Sequence, residues 1–364
     1  MRVLWIGKTG DANAWYHIYP FVESAHTSEI TVVRSTLPAR DIESPKLRYV
    51  LFGTGSMPRQ VFHYLNTGLE TLRRGRHDVV VSYGMMPWGF LSWILSRMVG
   101  RPIVIGLIGS DYHRHVRSGA ASRLLRFALR RADLITVPGA AMKSELAELI
   151  GRDEGIHIYP HCLPPAFMAP RPSVPARALN LITVCALNAN KRILDVLEAV
   201  SILAERSRDV RLRVLGDGEQ LPELKAFVRN RGLESLVSFE GHVEDVIPHL
   251  DQSSIFVQAS LHEGLSLSLI EAIGRELVPV TTVAGSEEDL IEHDVNGLFF
   301  EKQNPIDLAE KLEYTVRSDN FPRLLEGVRD VKARLDVSIA IAAVERIQES
   351  VAPAAGVTLS RARA

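Results

Sequence analysis

The chain has 364 residues, of which 46% are hydrophobic and 23% charged, with 25 glycines and 19 prolines. At ~100–200 residues per domain that is length for two domains with cores of their own, and it excludes a collagen-like, low-complexity or wholly disordered protein. The formal net charge of −1 hides an asymmetry: residues 1–168 carry 20 Lys and Arg against 13 Asp and Glu, residues 169–364 carry 22 against 30, and such a split favours two domains with different partners.

Short apolar runs at residues 3–6, 30–33, 79–81, 103–108 and 134–137 predict strands, and residues 61–74 and 121–130 between them have helical spacing. Strands separated by helices predict a parallel, doubly wound sheet covered on both faces. Residues 163–175 hold Pro164, Pro165, Pro170, Pro172 and Pro175, too many for a helix or a central strand. Residues 169–178 are read as an interdomain linker. The second half repeats the pattern, with strands expected at 179–184, 212–215, 237–239, 255–258 and 278–281 and helices at 195–207, 221–231 and 268–276. Residues 337–351 again have helical spacing, and the small, polar residues 352–364 are expected to form a disordered tail. The domains are therefore set at 1–168 and 179–336. No apolar run approaches the ~18–20 residues that span a bilayer, and residues 1–7 read as a strand ending in Gly7, without the apolar stretch and cleavage site of a signal peptide. Cys162 and Cys185 make neither a disulfide framework nor a four-cysteine zinc site and read as buried hydrophobes. A cytoplasmic protein is expected.

The most informative stretch is Glu263-Gly264-Leu265-Ser266-Leu267-Ser268-Leu269-Ile270-Glu271. Two carboxylates flank a run that starts with glycine and holds two serines suited to capping a helix, which places Glu263 in a loop and Glu271 about two turns into the helix. Backbone N–H groups at a helix start attract phosphate, and carboxylates accept hydrogen bonds from sugar hydroxyls. On spacing alone, a helix with a polar end and a surface glutamate remains the plainer reading.

The Glu263-to-Glu271 spacing resembles the E-x7-E signature of retaining glycosyltransferases of family 4, and the residues around it follow that family's order. Leu215-Gly216-Asp217-Gly218 resembles its G-x-G turn after a strand, Val237-Ser238-Phe239-Glu240-Gly241 its V-x-F-x-G, Pro279-Val280 its P-V strand and Asn296-Gly297 its N-G turn. The resemblance implies an α/β chain of two facing Rossmann-like domains around a central cleft, the GT-B architecture, with the helix 337–351 packing back on the first domain. The second domain would hold a nucleotide-diphosphate sugar, UDP- or GDP-linked, and the first a glycan or lipid-linked acceptor. Glu271 would bind the ribose hydroxyls, Glu263 would lie near the donor sugar, and the amides of Gly264, Leu265 and Ser266 would face the pyrophosphate beside the Gly216 turn. Lys191 matches the family's phosphate-binding lysine and would stabilise charge on the departing diphosphate, with Arg192 next to it. Gly109-Ser110-Asp111 resembles the H-G-x-D loop, so Asp111 is carried over as a catalytic contact and His113 is considered with it. Gly7 and Gly10, in the loop after the first strand, would line the cleft. Two positions differ from the pattern: Cys185-Ala186 stand where Gly-Arg is usual, and Ile108 where histidine is usual.

The implied activity is retaining hexosyl transfer in polysaccharide biosynthesis, without cofactor or metal; there is no D-x-D motif, and His113 and His115 have no further ligand at metal-like spacing. Two alternatives stay open, a catalytically silent GT-B protein that binds a sugar nucleotide or a partner enzyme, and a sugar-nucleotide epimerase of the same fold. The arginines between Arg97 and Arg131 alternate with apolar residues, so Arg123, Arg126 and Arg130 are candidates for contact with an anionic membrane surface, against the plainer reading of a solvated basic face. No nucleic-acid recognition motif accompanies them.

Overall fold

A computed structural model describes residues 1–7, 11–107, 112–117, 119–172, 179–263, 266–317 and 319–352, with the backbone alone for residues 11–13, 113 and 114. Residues 353–364 of the tail expected at 352–364, and residues 173–178 of the linker, lie outside the described residues. The chain divides into two compact units, Met1–His161 with Val337–Ala364, and Cys162–Asp336.

The first unit is built on a parallel sheet of β1 (Arg2–Ile6), β2 (Glu29–Arg34), β3 (Leu47–Leu51), β4 (Val79–Tyr83), β5 (Ile103–Gly106), β6 (Leu134–Val137) and β7 (Ile156–Ile158). Their spatial order is β3-β2-β1-β4-β5-β6-β7. Val3 therefore pairs with Ile30 on one side and Val79 on the other. Val3, Leu4, Trp5 and Ile6 are fully buried, which is why these strands read as continuous apolar runs: both faces are covered. The helix Met57–Arg74 buries Tyr64, Gly68 and Leu72. A side chain at Gly68 would place its Cβ 2.7 Å from Ile6 Cδ1, so the glycine sets how closely the helix lies on the sheet. The helix Val337–Val351 packs on the helix Asp11–Glu23. Gln348 ties that contact down, accepting from Ser24 Oγ (2.7 Å) and donating to Thr27 Oγ1 (2.7 Å), while Glu345 accepts the Ala25 N–H (2.9 Å).

The second unit repeats the plan with β8 (Leu179–Val184), β9 (Val210–Leu215), β10 (Val237–Gly241), β11 (Ile255–Gln258), β12 (Val278–Thr281) and β13 (Leu298–Phe299). All are parallel, in the order β10-β9-β8-β11-β12-β13. Leu181, Val214, Ile255, Val257, Val278 and Val280 form the core with Val196, Leu197 and Val200 of the helix Ile193–Glu205.

The proline-dense stretch differs from expectation. It contains a one-turn helix, Pro165–Met168, because Pro165 occupies the first helical position, where its missing N–H costs nothing. Residues 169–171, expected as linker, are fastened to the second unit. The guanidinium of Arg275, 2% exposed, donates to Ala169 O (2.6 Å) and to both carboxylate oxygens of Asp251 (2.8 and 3.0 Å), and Arg171 donates to Arg275 O (2.6 Å) and Ser253 O (2.8 Å). A buried arginine whose five donors meet carbonyls and a carboxylate makes an ordered clasp of a segment that composition alone marks as flexible.

Candidate active site

The second sheet reverses its direction of winding between β8 and β11, and ligands of open α/β sheets bind beyond the carboxyl ends of strands at such a point. The loops that leave these two strands carry Lys191 and Glu263. After β8 the chain runs through a tight turn at Ala189–Lys191, in which Asn188 Oδ1 accepts the Asn190 N–H (3.1 Å). Arg192 then takes a left-handed backbone conformation (φ 53°) before the helix Ile193–Glu205. That conformation costs a non-glycine residue ~1–2 kcal/mol. Asp195, nearly buried, offsets it by receiving the Arg192 guanidinium at both oxygens (2.9 and 2.5 Å). The Arg192 guanidinium is thus committed to the helix start, while Lys191 points to Glu263.

Glu263 Oε1 accepts from Lys191 Nζ and from Ser260 Oγ (2.8 Å), and the Glu263 N–H donates to Ala284 O (3.0 Å). The lysine and glutamate side chains are 20% and 14% exposed, so their charges are only partly screened by water. The turn after β9 braces this arrangement from behind. A Cβ on Gly216 (φ +128°) would lie 1.8 Å from Cys185 O, and one on Gly218 2.3 Å from Leu187 O. Glycine at both positions lets the turn press against the loop that ends in Lys191.

Glu271 lies in the helix Leu267–Gly274, half-buried and in the second turn, closer to the helix start than the sequence reading put it. Ser266 takes the position before the first turn, but its hydroxyl does not cap the helix; it meets Ser268 Oγ at 2.9 Å. The serines expected as caps bond to each other, and Ser266 does not cap the helix-start amides, groups that favour anions. Gly264 and Leu265, whose amides were expected to face phosphate, lie outside the described residues.

Glu287 was not singled out from the sequence, where it is one of three consecutive acidic residues, and in the structure it is fully buried. It accepts from Ala284 N (3.0 Å), Gly285 N (2.6 Å) and Gln258 Nε2 (2.9 Å), and burial raises its pKa above the ordinary carboxylate value. It therefore shapes the loop whose Ala284 carbonyl receives Glu263. Only its burial distinguishes it from Glu288.

In the first unit, Gly7 ends β1 at that sheet's own reversal, where a Cβ would lie 3.4 Å from Tyr83 O at the end of β4. The surroundings are aromatic: His17 stacks on Tyr83 (4.3 Å), and burial lowers His17 to a pKa of about 3 and His161 to about 4. Gly10, Gly109 and Asp111 lie outside the described residues. His113 belongs to the π-helical segment Tyr112–Arg117, of which its backbone alone is described. Among the described residues no group of three or more His, Cys, Asp or Glu is arranged to hold a metal, and no helix is long and apolar enough to cross a membrane. Of the three arginines in the basic run, Arg126 donates to Val116 O (3.1 Å) and Arg117 O (2.6 Å), and Arg130 to Ile150 O (2.8 Å). Arg123 is exposed beside Leu124 and Phe127, and Arg131 lies 3.9 Å over the Phe127 ring.

Comparison with known proteins bears on the family and the fold. The family model of group 1 glycosyl transferases matches residues 178–318, and that of the glycosyl transferase 4-like domain matches residues 16–162. The structure resembles Anabaena Alr3699/HepE in complex with UDP, with a TM-score of 0.79 at 15% identity, covering 96% of this chain and 100% of that one. Two parallel sheets with their helices match the GT-B fold of such neighbours. The chain belongs to the GT-B glycosyltransferases, with a family-4-like first unit. Among characterised relatives, the N-acetyl-alpha-D-glucosaminyl L-malate synthase of Bacillus anthracis is 21% identical over 264 residues, 70% of this chain and 69% of that protein. An uncharacterized glycosyltransferase of Haemophilus influenzae is 31% identical over 142 residues, 38% of this chain and 39% of its own length.

Proposed function

We propose that the protein is a retaining hexosyltransferase that uses a nucleoside-diphosphate sugar and glycosylates a hydroxyl of a glycan or lipid-linked acceptor. The observation that carries this reading is the contact between the Lys191 ammonium and the Glu263 carboxylate at the reversal point of the second sheet, with Glu271 on the helix that begins just beyond. Lys191 and the helix-start amides meet the diphosphate, Glu271 accepts from the ribose hydroxyls, and Glu263 orients the sugar. In transfer, the bond from the anomeric carbon to the diphosphate oxygen breaks and its electron pair leaves with the diphosphate. The acceptor oxygen bonds to that carbon on the same face, and its proton passes to the departing diphosphate. Lys191 matters most as negative charge grows on the leaving group, so it lowers the barrier rather than merely binding the donor. The UDP and glucose held by the HepE structure support a UDP-sugar as donor. The test is release of UDP or GDP from a panel of nucleotide sugars with glycan and lipid-linked acceptors.

Ala186, where the family pattern has arginine, favours a second reading, a protein that binds the sugar nucleotide without transfer. Saturable binding with no diphosphate release under any acceptor would select it over the first. Exposed Arg123, Leu124, Phe127 and Arg131 in the first unit support contact with an anionic membrane surface, where lipid-linked acceptors reside.

A further inference from the structure

Residues 260–263 have no regular secondary structure, yet their backbone groups are paired with several other segments. Thr282 Oγ1 donates to Ser260 O (2.6 Å), Lys302 Nζ donates to Leu261 O (2.8 Å), and the Glu263 N–H reaches Ala284 O (3.0 Å). Three more bonds end on one residue of the loop after β8. Asn190 O accepts the Leu261 N–H (2.9 Å), Asn190 Oδ1 accepts the His262 N–H (3.1 Å), and Asn190 Nδ2 donates to His262 O (2.8 Å). Asn190 precedes Lys191, and His262 precedes Glu263. A staple between the first members of these pairs fixes the relation of the second members, the ammonium and the carboxylate that meet. The carboxamide donates and accepts at once, so it grips both polar groups of one residue and sets orientation as well as distance.

We propose that Asn190 is a positioning residue that holds Lys191 on Glu263 before the donor arrives, so that neither group reorganises as charge moves onto the diphosphate. The geometry stands by itself; its consequence for turnover rests on the transferase reading. Asn190 touches no reacting atom.

The first test reads geometry without activity. Limited acylation of the folded, full-length chain, followed by mass spectrometry, measures how readily each lysine amine is exposed and deprotonated. Asn190→Ala is expected to raise the Lys191 labelling rate about tenfold, the equivalent of one or two ordinary hydrogen bonds, with the exposed Lys225 as an unchanged internal reference. Equal Lys191 labelling in wild type and variant overturns the proposal. If Asn190→Ala does not fold, Asn190→Asp, which keeps the acceptor and loses the donor, takes its place with the same two outcomes. The second test reads turnover. Asn190→Ala is expected to lower kcat about tenfold with donor KM changed less than about twofold. In the Lys191→Ala background it should cost nothing further, whereas independent, additive losses would overturn the coupling. A wild type that neither binds nor turns over any nucleotide sugar would remove the transferase reading and leave the labelling test to decide Asn190.

Discussion

The two units share one backbone plan and diverge where each sheet reverses. At the end of β1 and β4 the first unit sets Gly7 and Tyr83 beside His17, an aromatic environment in which burial lowers the pKa of the imidazole. At the end of β8 and β11 the second unit sets Lys191 against Glu263, with the buried Glu287 shaping the adjoining loop. Among the described residues, the same kind of parallel sheet thus carries stacked aromatic rings at its reversal in one unit and an ion pair in the other. The sheet supplies the location, and the loop residues supply the chemistry.

The comparison is broken most severely at Gly216. Gly216→Ala would drive a methyl into Cys185 O, and we expect a loss of ~3 kcal/mol or more in unfolding free energy of the second unit, read from the urea midpoint. A wild-type midpoint would mean that the turn does not brace the Lys191 loop. Next comes Lys191→Ala, which should lower kcat by about a hundredfold, as for loss of a donor to developing negative charge, with a smaller change in donor affinity. Equal losses in both would reduce the lysine to a binding group. Glu271→Ala should weaken donor binding by about tenfold, the size of a charge-assisted hydrogen bond, in a calorimetric titration with UDP or GDP.

Acidification separates the units by sign. Between the ordinary histidine value of 6.5 and the lowered values of about 3 and 4, the unfolded chain binds protons at His17 and His161 that the folded first unit refuses, so its stability falls as pH drops from 7 to 4. Glu287 has its folded pKa raised above 4.5, so its contribution is present at low pH and is lost as pH rises past that value. Hydrogen exchange at pH 7 and 5 should show protection lost first in the first unit, and loss beginning in the second would contradict this. The smallest effect concerns the basic edge. Neutralising Arg123 and Arg131 should lower flotation with anionic vesicles by about twofold to fivefold, whereas neutralising Arg126 and Arg130 should cost stability as well, because their guanidinium groups hold backbone carbonyls.

Sequence patterning located every strand interior to the two sheets, such as Leu134–Val137, Leu179–Val184, Ile255–Gln258 and Val278–Thr281, together with the half-exposed edge strand Val237–Gly241. Those it missed, β3, β7 and β13, are all sheet edges. The edge strand β3 is only partly buried, and β7 and β13 have three and two residues, too short for any period to show. The same division runs through the site. Lys191, Glu263 and Glu271 stood out because a long ordered pattern surrounds them, whereas Asn190, Ser260 and Glu287 act through contacts with residues distant in the chain. Arg192 illustrates the limit from the other side, since its charge suggested a phosphate ligand and its geometry gives the guanidinium to Asp195.

From its order of apolar runs, glycines and prolines alone, the chain fixed two doubly wound parallel sheets, because burial on both faces leaves an unbroken apolar signature along each central strand. The family pattern then fixed where the charged residues of the second sheet fall. Folding decided which of those residues meet. An ion pair, a carboxamide staple and a buried carboxylate arise from loops leaving strands that are adjacent in space and far apart in sequence, and no local spacing encodes that adjacency.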